Sequence, residues 1–426
     1  MTRAAFRLAA IGLAAGVLAT GCSSNNDSKN NSASSSPASA ASSGDMSSMS
    51  SSASAAPVAD AAATPAAALR AGLTDLLDNH VWLAGNALNT AVTKGGNLKD
   101  KNVAGAVAAL DANSVALSKA IGAAYPAAEK PFLASWRQHI GFFVNYTLGK
   151  ATKNAKMAAK AKTDLDGYRT GFGQLIHSVV PELPAAAVAT ELKPHVASLL
   201  AAIDASVAKS PTFQSKLAVS AEHMQMTAAV LANGIAKNKK MPGNAMGPAS
   251  TLRATLTQQL NDHVWLAGNA LDTAVMKGGN LKDPTVMGAV TALDGNSVDL
   301  SKTLGSVYPA AAKPFLASWR QHIGFFVNYT LGKATKNAKM VAKAKTDLDG
   351  YRTGFGQLIH SVVPELPAAA VATELKPHVA SLLAAIDASV AKSPTLQSKL
   401  SASADHMVMT AAVLAGGIAK NKKIVS

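Results

Sequence analysis

The chain has 426 residues, a formal net charge of +15 and a single cysteine. One thiol closes no disulfide within the chain, so stability must come from core burial. The positive balance points to anionic surfaces as partners, and with no recognisable nucleic-acid motif beside it, nucleic acid is not an expected partner.

In chain order, Arg3 and Arg7 precede an apolar run from Leu8 to Ala19. The run is too short and too rich in alanine to span a membrane. It ends in Leu18-Ala19-Thr20-Gly21-Cys22, small residues directly before the sole cysteine. This segment resembles a bacterial lipoprotein signal peptide with its lipobox, and the resemblance covers residues 1–22 only. It implies removal of residues 1–21 and acylation of Cys22, and hence a lipid-anchored, extracytoplasmic place in the bacterial cell envelope. Each buried methylene of such an anchor contributes about 0.8 kcal/mol. Acylation would also consume the only thiol, excluding thiolate metal sites, iron–sulfur clusters and covalently attached haem. Loss of Arg3 and Arg7 would take the charge from +15 to near +13.

Residues 22–65 are rich in Ser, Ala and Asn. They carry too little apolar surface to offset ordering entropy, so they read as a flexible tether. Beyond them the chain repeats itself. Residues 66–240 match 249–423 without a gap at an offset of 183, the second unit running 249–426 to the end of the chain. Between Lys130 and Thr212 the copies differ only at Ala158, which is Val341 in the second. A repeat of this length is a duplicated domain, not a solenoid module. Residues 241–248, with Pro242, Gly243, Gly247 and Pro248, read as a short linker.

Each unit reads as six helices, from the spacing of apolar residues at three and four. They run about 67–94, 102–124, 127–150, 155–179 and 185–208, and the sixth starts at Ser210-Pro211. Short loops favour antiparallel neighbours. The expected fold is therefore all-α, two tandem antiparallel helical bundles behind a tether. The copies' divergence suggests faces: Leu76 becomes Gln259, which places that position toward water.

The ten histidines form five offset pairs. His80 follows the stripe Leu69, Leu73, Leu77. His139 lies among Phe132, Trp136, Phe143 and Tyr146. His195 lies with Leu192, Leu199 and Ile203, one turn after Glu191, a potential carboxylate partner. His223 is aligned with Val219, Met226 and Val230. His177 falls beside its helix's stripe. Four helices thus each offer an inward histidine, and the core offers them few acidic partners. A shared ligand would supply one.

The candidate metal ligands are His80, His139, His195, His223 and Met226, with His263, His322, His378, His406 and Met409 in the second unit. Imidazole with thioether three residues apart suits copper, above all Cu(I). Haem held by two core imidazoles is an alternative, and a hydrogen-bonded core with no ligand is another. A di-iron carboxylate site lacks its Glu-x-x-His motifs. Leu110-Asp111-Ala112-Asn113-Ser114 reads as cross-bundle hydrogen bonding. Thr163-Asp164-Leu165-Asp166-Gly167 lacks the remaining ligands of a calcium loop.

No nucleophile elbow, phosphate loop or His-Glu-x-x-His motif is present. The functional readings are a metal-binding envelope lipoprotein for buffering, storage or delivery, or a non-catalytic lipoprotein binding an anionic envelope polymer or a protein partner. No recognisable catalytic set supports an enzyme.

Overall fold

The computed structural model describes residues 60–426. The signal-like segment, Cys22 and the tether up to residue 59 lie outside the described residues. Among those described, the regular elements are twelve α-helices and three short 3-10 turns, with no strand. The first repeat comprises α1 (Pro65–Thr93), α2 (Lys101–Ala124), α3 (Glu129–Ala151), α4 (Ala155–Val179), α5 (Ala185–Val207) and α6 (Phe213–Asn238). The second comprises α7 (Pro248–Met276), α8 (Pro284–Val307), α9 (Ala312–Ala334), α10 (Ala338–Val362), α11 (Ala368–Val390) and α12 (Leu396–Lys422). The expected all-α helical bundle is what the chain forms.

Helix starts follow local chemistry. The Asp100 and Asn154 side chains accept from the backbone N–H of Asn102 and Met157, and Asp283 and Asn337 repeat this. Such caps satisfy donors that the helix itself cannot. The sixth helix begins later than Ser210-Pro211, because the Ser210 hydroxyl pairs with that of Thr212 in a turn before it.

The start of each repeat lies upstream of the recognisable identity. Asp60 caps a 3-10 turn, Ala61–Ala63, so residues 60–65 are not tether. Arg253 Nη1 donates to the Ala62 carbonyl at 2.9 Å, and Arg70 Nη1 donates to the Ala245 carbonyl at 2.9 Å. Arg70 and Arg253 are equivalent, and so are Ala62 and Ala245. The segment 241–248 is thus the packed opening of the second repeat rather than a free linker.

The described residues, 60–426, form one compact unit. The repeats meet along α1 and α7, which run parallel. Trp82 stacks on its equivalent Trp265 at 6.4 Å and 9°. Asn86 and its equivalent Asn269 exchange side-chain hydrogen bonds at 3.1 and 3.2 Å. Asn86 also donates to Gln397, and Asn269 to Gln214. Residue i meeting j while j meets i is the signature of a two-fold relation, here between repeats. Gly105 and Gly288 obey it too, since a Cβ on either would strike the backbone carbonyl of Pro394 or Pro211.

This pairing corrects the reading of α1. Position 76 does not face water: Leu76 and Gln259 are half-buried. The polar residues Thr74, Asp75, Asp78 and Asn79 are buried as well, because α7 covers them.

Candidate metal centre

Helices α1, α3 and α5 each bring one histidine to a common point in the first bundle. His80, His139 and His195 are 0%, 2% and 3% exposed, and one ligand nitrogen from each lies within 4.8 Å of the others. His263, His322 and His378 repeat the arrangement on α7, α9 and α11. Each group could hold a metal ion.

The Nε2 atoms of His80 and His139 are 3.3 Å apart, and those of His263 and His322 are 3.2 Å apart. Tetrahedral ligands at about 2.0 Å from a metal stand about 3.3 Å from one another, so two of three nitrogens already have that spacing. Trp136 Nε1 donates to His80 Nδ1 at 3.3 Å, which assigns the His80 proton to Nε2 and its bond toward His139. His139 then carries its proton on Nδ1, which has no partner, and neither nitrogen of His195 has one. An ion on His80 Nε2 would move that ring's proton to Nδ1, facing the indole. The second repeat has no such competing bond, since Trp319 Nε1 and His263 Nδ1 are both unpartnered.

Aromatic rings hold the imidazoles in place. His139 stacks on Tyr168 at 4.8 Å and 21° and meets Trp136 edge-on at 4.5 Å and 72°. Phe143 meets both His139 and His195 edge-on at 6.0 Å. Pro194 stands inside α5 directly before His195, removing one backbone donor from that turn.

Burial keeps these rings neutral. It holds His80 and His263 well below the usual imidazole range, with the neighbouring histidines adding to the effect. His139, His195 and His322 are pushed down to about 3, and His378 to about 4, chiefly by burial. Neutral imidazoles are the form that binds metals, so no proton need leave on binding.

The remaining candidates lie elsewhere. His223 Nε2 pairs with the Glu191 carbonyl at 2.9 Å and stands 3.4 Å from its carboxylate, and His406 does the same with Glu374. Glu191 therefore partners His223, not His195. Met226 and Met409 are each 60% exposed, on the outer side of α6 and α12, and do not join the histidines. The inward stripe of α6 is Leu217, Ala221, Met224, Ala228 and Leu231. Its thioether is Met224, 0% exposed, and the equivalent Met407 lines a cavity together with His322 and His378. Met226 and Met409 each follow a histidine, His223 or His406, by three residues but lie on a different helix face from the core.

Tyr168 was not among the candidates. Its place between Leu165 and Phe172, three and four residues away, is the signal that puts it on the inner face of α4. His177 is exposed, as its position beside the stripe suggested. Asp111 pairs with Arg137 at 2.7 and 2.8 Å, and Asn113 donates to the Leu76 carbonyl at 3.0 Å, so that motif links helices. Asp164 and Asp166 pair with Lys160 and Arg169 along α4 and form no calcium loop.

Compared with family models, with curated proteins and with solved structures, the chain matches none.

Proposed function

We propose that the chain binds copper as Cu(I), one ion in each histidine triad, and serves in buffering, storage or delivery. The observation that carries this reading is the convergence of three buried, neutral imidazoles in each repeat with no carboxylate among them. A bound ion would keep its whole charge in apolar surroundings. Desolvation energy scales with the square of charge, so a monovalent ion costs about a quarter of a divalent one. Imidazole with thioether nearby favours the soft cuprous ion, and Met224 and Met407 are the buried sulfurs. Bound there, copper would bring a coordinatively unsaturated soft centre. The chain's own residues orient the imidazoles through Tyr168, Trp136 and Phe143 and keep water out.

Haem fits less well. It needs two imidazoles on opposite faces of a macrocycle, whereas His80 and His139 are in direct contact. Anchoring in a bacterial envelope through acylated Cys22 belongs to the same proposal. It rests on the likeness of residues 1–22 to a lipoprotein signal.

Copper content of the full chain, loaded with Cu(I) under reductant and washed, tests the reading. Two ions per chain are expected, one after His139→Ala and none after His139→Ala with His322→Ala. His223→Ala and Met226→Ala should leave the content unchanged. Retention of two ions by the double variant would contradict the proposal by placing the copper outside the triads, and no copper on the unaltered chain would favour a hydrogen-bonded core with no metal role.

A further inference from the structure

The second triad lies between two apolar cavities. One, of about 40 Å³, is lined by His322 and His378 together with Leu256, Phe355 and Met407 among others. The other, of about 70 Å³, ends on His263 and is lined by Ala267, Ala270, Ala274, Phe326 and Val290 among others. No Asp, Glu, Lys or Arg lines either cavity. The larger one reaches the surface beside the Gly278-Gly279 turn, where its lining residues Leu281 and Val290 are 44% and 47% exposed.

A site for one water needs about 10–15 Å³ of such space, so each cavity has room for a few water-sized molecules and no more. With no charged group and few hydrogen-bonding groups, the walls disfavour anions, sugars and peptides. A metal on three histidines keeps at least one open position. The space around the triad therefore suits a small neutral molecule, and Cu(I) favours one that accepts electron density from the metal.

We infer that the second repeat admits a neutral diatomic gas to its metal through the cavity that opens between Leu281 and Val290 and ends on His263. This inference rests on the copper reading of the triad. The step is coordination alone: the diatomic donates an electron pair to the open position, no proton moves and nothing is oxidised. The small side chains Ala267, Ala270 and Ala274 form the bore of the route, and a larger residue there closes it.

Carbon monoxide is the probe. The full chain carrying His139→Ala, so that only the second triad is filled, is loaded with Cu(I). Copper content is measured first, and rebinding of carbon monoxide after photolysis is then followed by its C–O stretch. Binding of one carbon monoxide per copper is expected. Ala270→Leu, and Val290→Trp at the exposed mouth where folding is not at stake, should each slow rebinding at least tenfold with copper content unchanged. Copper present without a C–O band, or equal rates in all variants, would overturn the inference and leave the copper reading intact. Absence of copper would overturn both.

Discussion

At the scale of single residues, the decisive feature is His195. It is 3% exposed and neither ring nitrogen has a partner. A buried polar group left unpaired costs about 1–3 kcal/mol, so the metal-free chain carries a penalty that a bound ion would relieve. His195→Leu should therefore raise the unfolding free energy of the metal-free chain by about 1 kcal/mol or more. It should also remove the first triad's share of any stabilisation by added Cu(I), leaving that of the second. Denaturant unfolding with and without the ion measures both, and a less stable metal-free variant would show that the imidazole is an ordinary packed residue. The triad was half legible in the sequence. His80, His139 and His195 could be placed inward because apolar residues flank each at three and four. The same logic places Met226 inward, yet it points outward, because α6 offers Met at both 224 and 226 and the rest of its stripe decides between them. The pairing of Glu191 with His223 joins two helices, which spacing along one helix does not report.

At the scale of elements, α1 and α7 form a polar seam that the sequence disguises as a solvent face. Asp75 accepts from Asn261 at 2.7 Å and from Asn79 at 2.8 Å, Trp82 Nε1 donates to Asp262 at 2.7 Å, and Trp265 Nε1 donates to Asn79 at 2.7 Å. The copies diverge along this seam: Asp75 is equivalent to Gln258, Asp78 to Asn261 and Asn79 to Asp262. Each acid in one repeat thus has an amide at the equivalent place in the other, which lowers the like-charge repulsion across the two-fold.

Burial nevertheless pushes the Asp75 carboxyl up to about 8, with Asp405 on α12 adding to it. Burial and the facing carboxylate of Asp262 hold Asp78 far above the carboxylate range, and neither Asp78 oxygen has a donor. Burial raises Asp262 too, with Glu222 on α6 contributing, and takes Asp405 to about 6. Carboxyls raised in the folded state favour folding fully below their unfolded value near 4, and that contribution is lost as pH rises toward 8. The depressed histidines act oppositely, favouring folding above about 6.5 and losing that contribution as pH falls toward 3. Between about pH 7.5 and 8.5 the unfolded histidines hold few protons and the acids dominate, so stability should fall as pH rises. The slope is up to about 1.4 kcal/mol per pH unit for each acid still titrating. Asp78→Asn should flatten that decline in urea unfolding at the two pH values. An unchanged slope would mean that the Asp78 carboxyl does not keep its proton in the folded chain.

At the scale of the molecule, the duplication has produced one body with two histidine triads rather than two bodies on a string. The number of helices and the repeat offset were readable because apolar periodicity and identity are both local. The union of the repeats was not readable, since it depends on polar residues of α1 whose partners lie about 183 residues away. The upstream start of each repeat was equally hidden, because Ala62 and Ala245 act through backbone carbonyls and leave no side-chain signature. The parallel pairing of α1 and α7 also gives the two triads the same orientation along the body.

X-ray absorption at the copper edge of the full chain loaded with Cu(I) tests the central claim most directly. A cuprous edge with three imidazole nitrogens at about 2.0 Å is expected, and the loss of that signature after His139→Ala with His322→Ala. A shell dominated by oxygen, or one untouched by the two substitutions, would contradict it.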